Sequence, residues 1–69
     1  MKKTRLKTEL YPIEDLQAAK EAFSQIAKIS ISSGEKEVVV FVDAGEDSEV
    51  LNKEFLNYSL ELTSGKRKI

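Results

Sequence analysis

The residues that could do chemistry gather in one acidic stretch, "DAGEDSE", at residues 43–49. Carboxylate oxygens are the ligands that calcium prefers, and paired carboxylates can act as general acid and base. A calcium loop of the EF-hand type needs its glycine at the sixth position, whereas Gly45 is third counted from Asp43. The stretch therefore indicates a solvated loop leading into a helix, with Asp47 or Ser48 as the N-cap. Its acidic residues are Asp43, Glu46, Asp47 and Glu49.

Composition removes most other catalytic chemistry. The chain contains no Cys and no His, so it lacks thiolate nucleophiles, imidazole bases, disulfides and the usual zinc ligands. Its serines have no imidazole to activate them. The stretch "SSGEK", residues 32–36, lacks the glycine pair and the Lys-Ser/Thr ending of a phosphate-binding loop. We predict a protein that is not an enzyme, with no catalytic residue, no cofactor and no bound metal.

Size and charge further narrow the classes of protein to which the chain could belong. Residues 1–69 predict one small domain, with residues 1–3 and 65–69 flexible. A core of this size supplies only ~3–5 kcal/mol of net folding stability, so small domains often gain more from disulfides, a metal or oligomerisation. Without Cys and His, oligomerisation is the remaining one of these. The net charge of −1 provides no global attraction to nucleic acid or anionic lipid. No apolar run approaches the ~20 residues of a membrane span and no signal-peptide core is visible, so we expect a cytoplasmic protein with no membrane partner.

The hydrophobic pattern predicts three strands and two helices. Alternation in residues 4–10 predicts the first strand, with Leu6, Thr8 and Leu10 on one face. Residues 13–28 have helical spacing, with Ile26 on the buried side of an amphipathic helix. The remaining elements are a strand at 28–32, an unbroken apolar strand at 38–42, and a helix at 49–62 before a tail that begins near Gly65.

This order predicts an α+β fold of the βαββα type. The third strand is apolar on both faces, which is typical of a central strand. The expected architecture is a two-layer sandwich, with a three-stranded sheet in the order 1-3-2 and two helices on one face. One alternative concerns "YSLELTS", residues 58–64, which also alternates with period two and could form a fourth strand.

Two surfaces of this fold are candidates for binding a partner, and we expect at least one of them to be buried against another chain. If one set of the third strand's side chains faces the helices, Val39 and Phe41 lie on the open sheet face. On the second helix, Leu56 and Leu60 point away from the apolar stripe, which comprises Leu51, Phe55, Tyr58 and Leu62. We predict a homodimer or a complex with a protein or peptide through Val39, Phe41, Leu56 and Leu60. The alternative is that the two leucines are isolated surface residues, which are common.

Single-stranded nucleic acid is a further candidate partner for the open face. Arg5 and Lys7 would flank Phe41, on which a base could stack. Sheets that bind single strands usually present two or more aromatic side chains, and this face has one. The pattern therefore disfavours nucleic acid.

Several residues resemble those of a known family of accessory proteins. The stretches "LYPIEDLQAAKEAF" and "EFLN" are similar to the HxsD family of His-Xaa-Ser peptide-modification systems. The matching residues are Tyr11, Pro12, Ala18, Ala19, Phe23, Phe55, Leu56 and Asn57. The resemblance implies a non-catalytic helper that binds a peptide or a radical-SAM enzyme that modifies peptides. The chain departs from that pattern where Glu61, rather than arginine, follows Leu60.

A second resemblance is to the small dimerising subunit of the KEOPS tRNA-modification complex. The shared features are the βαββα plan and a Phe-Leu pair before a late asparagine, within "DAGEDSEVLNKEFLN". This resemblance implies a dimerising scaffold. Both families consist of binding or scaffold proteins.

Overall fold

The computed structural model describes the backbone of residues 1–67 and the side chains through residue 65. The elements are β1 (Lys2–Lys7), α1 (Ile13–Ala22), β2 (Lys28–Ser33), β3 (Glu37–Asp43) and α2 (Ser48–Arg67), with one 3-10 turn at Gly45–Asp47. Residues 68 and 69, part of the segment expected to be flexible, lie outside the described residues.

The strands form an antiparallel sheet in the order β1-β3-β2, as the sequence predicts. The central position of β3 follows from its composition, because only this strand has apolar side chains on both faces. In the register, Val40 lies opposite Thr4 on one side and Ile31 on the other. The α+β fold class and the strand order are therefore confirmed.

One face of the sheet carries the core. Val38, Val40 and Val42 are fully buried, and Leu6 of β1 and Ile29 of β2 extend the same cluster. The helices contribute Leu16, Ala19 and Phe55 to it. Both helices therefore pack against the face that the alternate valines of β3 define.

Aromatic side chains join the two helices. The ring of Phe23, just after α1, meets the ring of Phe55 in α2 edge to face, with centroids 5.8 Å apart and an interplanar angle of 84°. Phe23 also contacts Tyr58 at 5.8 Å between centroids. Such edge-to-face pairs stabilise beyond the area that they bury.

The first strand is shorter than the alternation predicts. The backbone N–H groups of Leu10 and Tyr11 both donate to the carbonyl of Lys7 at 3.0 Å, so residues 8–10 form a turn rather than strand. Leu10 consequently leaves the buried face and is 57% exposed. Period-two alternation over a few residues could not distinguish this turn from a strand.

The first helix also ends early, at Ala22. Phe23 has φ −98° and ψ 2°, a conformation outside the helical region, and residues 23–26 turn away toward β2. Ile26 is therefore 58% exposed, and its prediction as a buried helical residue is wrong.

The second helix runs longer than predicted, through Gly65 to Arg67, and the alternative of a fourth strand at residues 58–64 is wrong. The polar members of that alternation are buried within the helix. The hydroxyl of Ser59 donates to the carbonyl of Phe55 at 2.8 Å. Oγ1 of Thr63 donates to Oδ2 of Asp15 at 2.7 Å and lies 3.1 Å from the carbonyl oxygen of Ser59. Small hydroxyl side chains can satisfy themselves in this way against the preceding turn, so they do not require the alternating environment of a strand.

Candidate binding surface

The sheet face opposite the helices is the candidate binding surface. Because side chains alternate along a strand, burial of Val38, Val40 and Val42 directs Val39 and Phe41 to the other side. Both are partly exposed, and neither belongs to the apolar core. We call this side the open face, and its residues are Lys3, Arg5, Lys7, Lys28, Ser30, Ser32, Glu37, Val39, Phe41 and Asp43.

The centre of the open face consists of three rows with different chemistry. Lys3 and Arg5 of β1 lie opposite Phe41 and Val39 of β3, respectively. On the other side of the same two residues, β2 presents the hydroxyls of Ser30 and Ser32. An apolar row is thus bounded by a cationic row and a hydroxyl row.

One cation contacts the aromatic ring directly. The Nζ atom of Lys3 lies 5.8 Å from the centroid of the Phe41 ring. At exposed positions such cation–π contacts contribute about 0.5–1 kcal/mol. The contact holds positive charge beside the ring, where an arriving ligand would meet both groups together.

Charge on the open face is balanced at its ends but not at its centre. Lys7 lies opposite Glu37, and Lys28 lies opposite Asp43. Lys3 and Arg5 have only apolar residues opposite them, and β1 is an edge strand with no second neighbour.

The net charge of the open face is opposite in sign to that of the rest of the chain. Of the chain's 11 basic and 12 acidic residues, this face holds four and two, respectively, and so carries a net +2. The remainder carries seven basic and ten acidic residues, a net −3, although the whole chain is at −1. Total charge therefore conceals a locally basic surface.

Leu56 and Leu60, the two residues of α2 that were predicted to bind a partner, lie in different environments. Leu56 is half-buried and packs against the core, so its interpretation as pointing away from the core is wrong. Leu60 is 39% exposed. The described side chains that line the helix surface around it are polar, namely Asn57, Glu61 and Ser64. Among these described residues, Leu60 is the one large apolar side chain.

The inward face of α2 explains why its apolar residues spread so widely. Apart from Phe55, its buried centre consists of small polar residues, which we call the inward polar line. They are Ser48, Asn52, Ser59 and Thr63. Leu51 and Leu62 pack on one side of this line and Leu56 on the other. The helix therefore has one wide inward face rather than two separate apolar sides.

The inward polar line makes hydrogen bonds to other elements. The Nδ2 atom of Asn52 donates to Oγ1 of Thr4 in β1 at 3.1 Å, and Oγ1 of Thr63 donates to Oδ2 of the buried Asp15 in α1 at 2.7 Å. Sequence reasoning missed these residues. The signal that could have found the helix residues is their spacing: Ser48, Asn52, Ser59 and Thr63 fall on the same helix face as Phe55, and none of them is charged.

The acidic stretch at residues 43–49 is organised by a serine. The hydroxyl of Ser48 accepts from the backbone N–H of Ala44 at 2.9 Å and donates to the carbonyl of Gly45 at 2.8 Å. Gly45 has φ +62°, a left-handed conformation that glycine adopts without strain. Within the part of the chain that the structure describes, no three acidic side chains converge as metal ligands would.

A shallow cleft of about 450 Å³ lies between the turn after β1 and the turn before β3. Its lining contains both charges: Lys7, Thr8, Glu9, Glu35, Lys36 and Glu37. The amide and the hydroxyl of Thr8 both donate to the carbonyl of Lys36, at 3.1 and 3.2 Å. This contact joins the two turns.

Comparison with family models, curated proteins and solved structures finds no significant match to this chain. Neither α1 nor the described part of α2 combines the length and apolar character needed to cross a membrane. The geometry of the open face therefore carries the functional argument.

Proposed function

We propose that this protein is a non-catalytic binding module whose open face holds a segment of another protein. One observation carries this proposal: β3 buries Val38, Val40 and Val42 completely while Val39 and Phe41 stay partly exposed on a face that the helices do not cover. An aromatic residue within an apolar patch that is rimmed by polar side chains is typical of an interaction surface.

Charge favours a different protein over a second copy on this face. A face-to-face homodimer would bring two surfaces of net +2 together, with the central Lys3 and Arg5 rows near each other. Like charges brought together in this way oppose association, and they disfavour the wrong partner. A partner of different composition avoids that repulsion.

The resemblance to the HxsD family supports an accessory role within this proposal. On that basis the bound protein is a peptide-modifying enzyme or its peptide substrate, and the module itself performs no chemistry. The resemblance to the KEOPS subunit favours a dimerising scaffold instead. The repulsion between two open faces argues against that alternative at this surface.

Co-purification with the proteins encoded beside this chain tests the proposal. We expect Phe41→Ser to abolish retention of the partner, because the variant removes the aromatic centre of the open face. Leu10→Ser is the matched control, since Leu10 is a large apolar residue that is exposed to solvent and lies outside that face. Retention of the partner by Phe41→Ser, or equal loss in both variants, would contradict the proposal. A solution mass of two chains that Phe41→Ser converts to one would favour the scaffold alternative.

A further inference from the structure

We propose that the segment bound by the open face is acidic, with one or two carboxylates beside an apolar side chain. This inference rests on the proposed function and assigns the chemistry of the partner. It follows from the three rows at the centre of the face, where cations, an apolar pair and hydroxyls lie side by side.

The cationic row defines where the carboxylates would lie. Lys3 and Arg5 are two residues apart on one strand, which places them about 6.8 Å from each other along β1. The register puts no acid directly opposite either of them, and the nearest acids of the face, Asp43 and Glu37, lie diagonally across β3. A carboxylate from a partner would therefore be the first to lie directly beside this row. An acidic side chain that reaches this row would gain charge-assisted hydrogen bonds.

The apolar row defines what must accompany the carboxylates. Phe41 and Val39 lie one strand away from the cations, a lateral step of about 4.8 Å. A side chain that covers Phe41 removes apolar surface from water, and the partner's backbone can then accept hydrogen bonds from Ser30 or Ser32. The recognised pattern is thus an acid next to an aliphatic or aromatic residue.

Single-stranded nucleic acid fits the same face less well. The uncompensated cations are confined to the middle, because the two ends of β3 carry Glu37 and Asp43 on the same face. A strand that carries a phosphate at every nucleotide would run across these carboxylates. A peptide with neutral residues on both sides of a short acidic cluster would not. The face also offers one aromatic ring, where sheets that bind nucleic acid stack two or three bases.

Chemical-shift titration of the ¹⁵N-labelled protein tests the inference. The probes are a short synthetic peptide in which Glu and Asp alternate with Phe and Leu, its twin with Gln and Asn in place of the acids, and oligothymidylate. We expect the acidic peptide to shift the amides of Lys3, Arg5, Val39 and Phe41. The twin should bind about tenfold more weakly, as should the double variant K3Q/R5Q, and added salt should weaken the acidic peptide selectively. Lys53→Gln is the matched control, because Lys53 lies exposed on α2.

The outcomes separate the alternatives. Equal binding of the acidic peptide and its twin would overturn the acidic preference while leaving the binding face itself in place. Tighter binding of oligothymidylate than of either peptide would overturn the inference in favour of nucleic acid. Absence of shifts on the open face with the acidic peptide would also overturn it. In that case, loss of the co-purified partner in Phe41→Ser would show that the proposed function survives with a partner of other chemistry.

Discussion

Single hydrogen bonds fix the position of α2 at the residue scale. Oγ1 of Thr63 donates to Asp15, which is only 2% exposed, so the bond joins the C-terminal half of α2 to the first turn of α1. A hydrogen bond buried between two elements is more sensitive to the loss of its donor than one at the surface, where water can replace the donor. This bond is therefore a sensitive test of the helix packing.

We expect Thr63→Val to lower the free energy of unfolding by about 1.5–3 kcal/mol, since it keeps the shape of the side chain and removes the donor. Thr8→Val is the control, because Thr8 makes a comparable hydroxyl-to-carbonyl bond at 3.2 Å at an exposed site. That change should stay within about 0.5 kcal/mol. Urea unfolding measures both values. Equal effects would show that the buried Thr63–Asp15 bond contributes no more to the free energy of unfolding than the exposed bond of Thr8.

At the scale of elements, β3 determines both the core and the binding surface. Adjacent residues of this strand face opposite sides, so Val39 and Val40 form a matched pair with the same side chain in two environments. Val40→Thr would bury a hydroxyl in the apolar core, at a cost of about 1–3 kcal/mol. Val39→Thr should change stability by less than about 0.5 kcal/mol, because threonine suits an exposed strand position. Thermal unfolding measures both variants, and similar losses of stability in the two would mean that the open face is covered.

Three apolar residues of α2 that differ in burial give a graded prediction of folding stability. Phe55→Ala removes a fully buried ring and should cost about 3–5 kcal/mol, enough to unfold a domain of this size. Leu60→Lys should barely affect stability because Leu60 is exposed, whereas Leu56→Lys should cost more because Leu56 packs against the core. Circular dichroism during urea unfolding orders the three variants. If Leu60→Lys unfolds the chain, Leu60 belongs to the core.

How far the sequence predicts these elements depends on how directly each pattern reports burial. The unbroken apolar run of β3 specifies a central strand, and from it the sheet order and the positions of Val39 and Phe41 follow. The inward face of α2 was predicted less well, because its buried centre is polar and its bonds to Thr4 and Asp15 come from residues distant in sequence. Hydrophobic periodicity cannot detect a helix face whose burial depends on such tertiary hydrogen bonds.

At the scale of the whole molecule, the helices pack on the inner face of the whole sheet, and β3 lies at the centre of that sheet. The sheet's edge strands, β1 and β2, each have a single neighbour, whereas β3 is paired on both sides and carries three fully buried valines. Protection of backbone amides against exchange reflects this difference, since opening an edge strand breaks one ladder and opening β3 breaks two.

We therefore expect the slowest amide exchange in Val38–Val42, with faster exchange in β1 and β2 and the fastest in residues 1–3. Because β3 opens only with the whole domain, its exchange should slow or accelerate in parallel with global stability. Thr63→Val, which acts through α2, should thus accelerate exchange in β3 by the same free energy that it removes from unfolding. Phe41→Ser serves as the control and should accelerate exchange in β3 less than Thr63→Val does, because it removes only partly exposed apolar surface and a cation–π contact of about 0.5–1 kcal/mol. Rapid exchange throughout Val38–Val42 would contradict the central position of β3. Acceleration by Phe41→Ser that equals the effect of Thr63→Val would show that the open face contributes to the core and is not available to a partner.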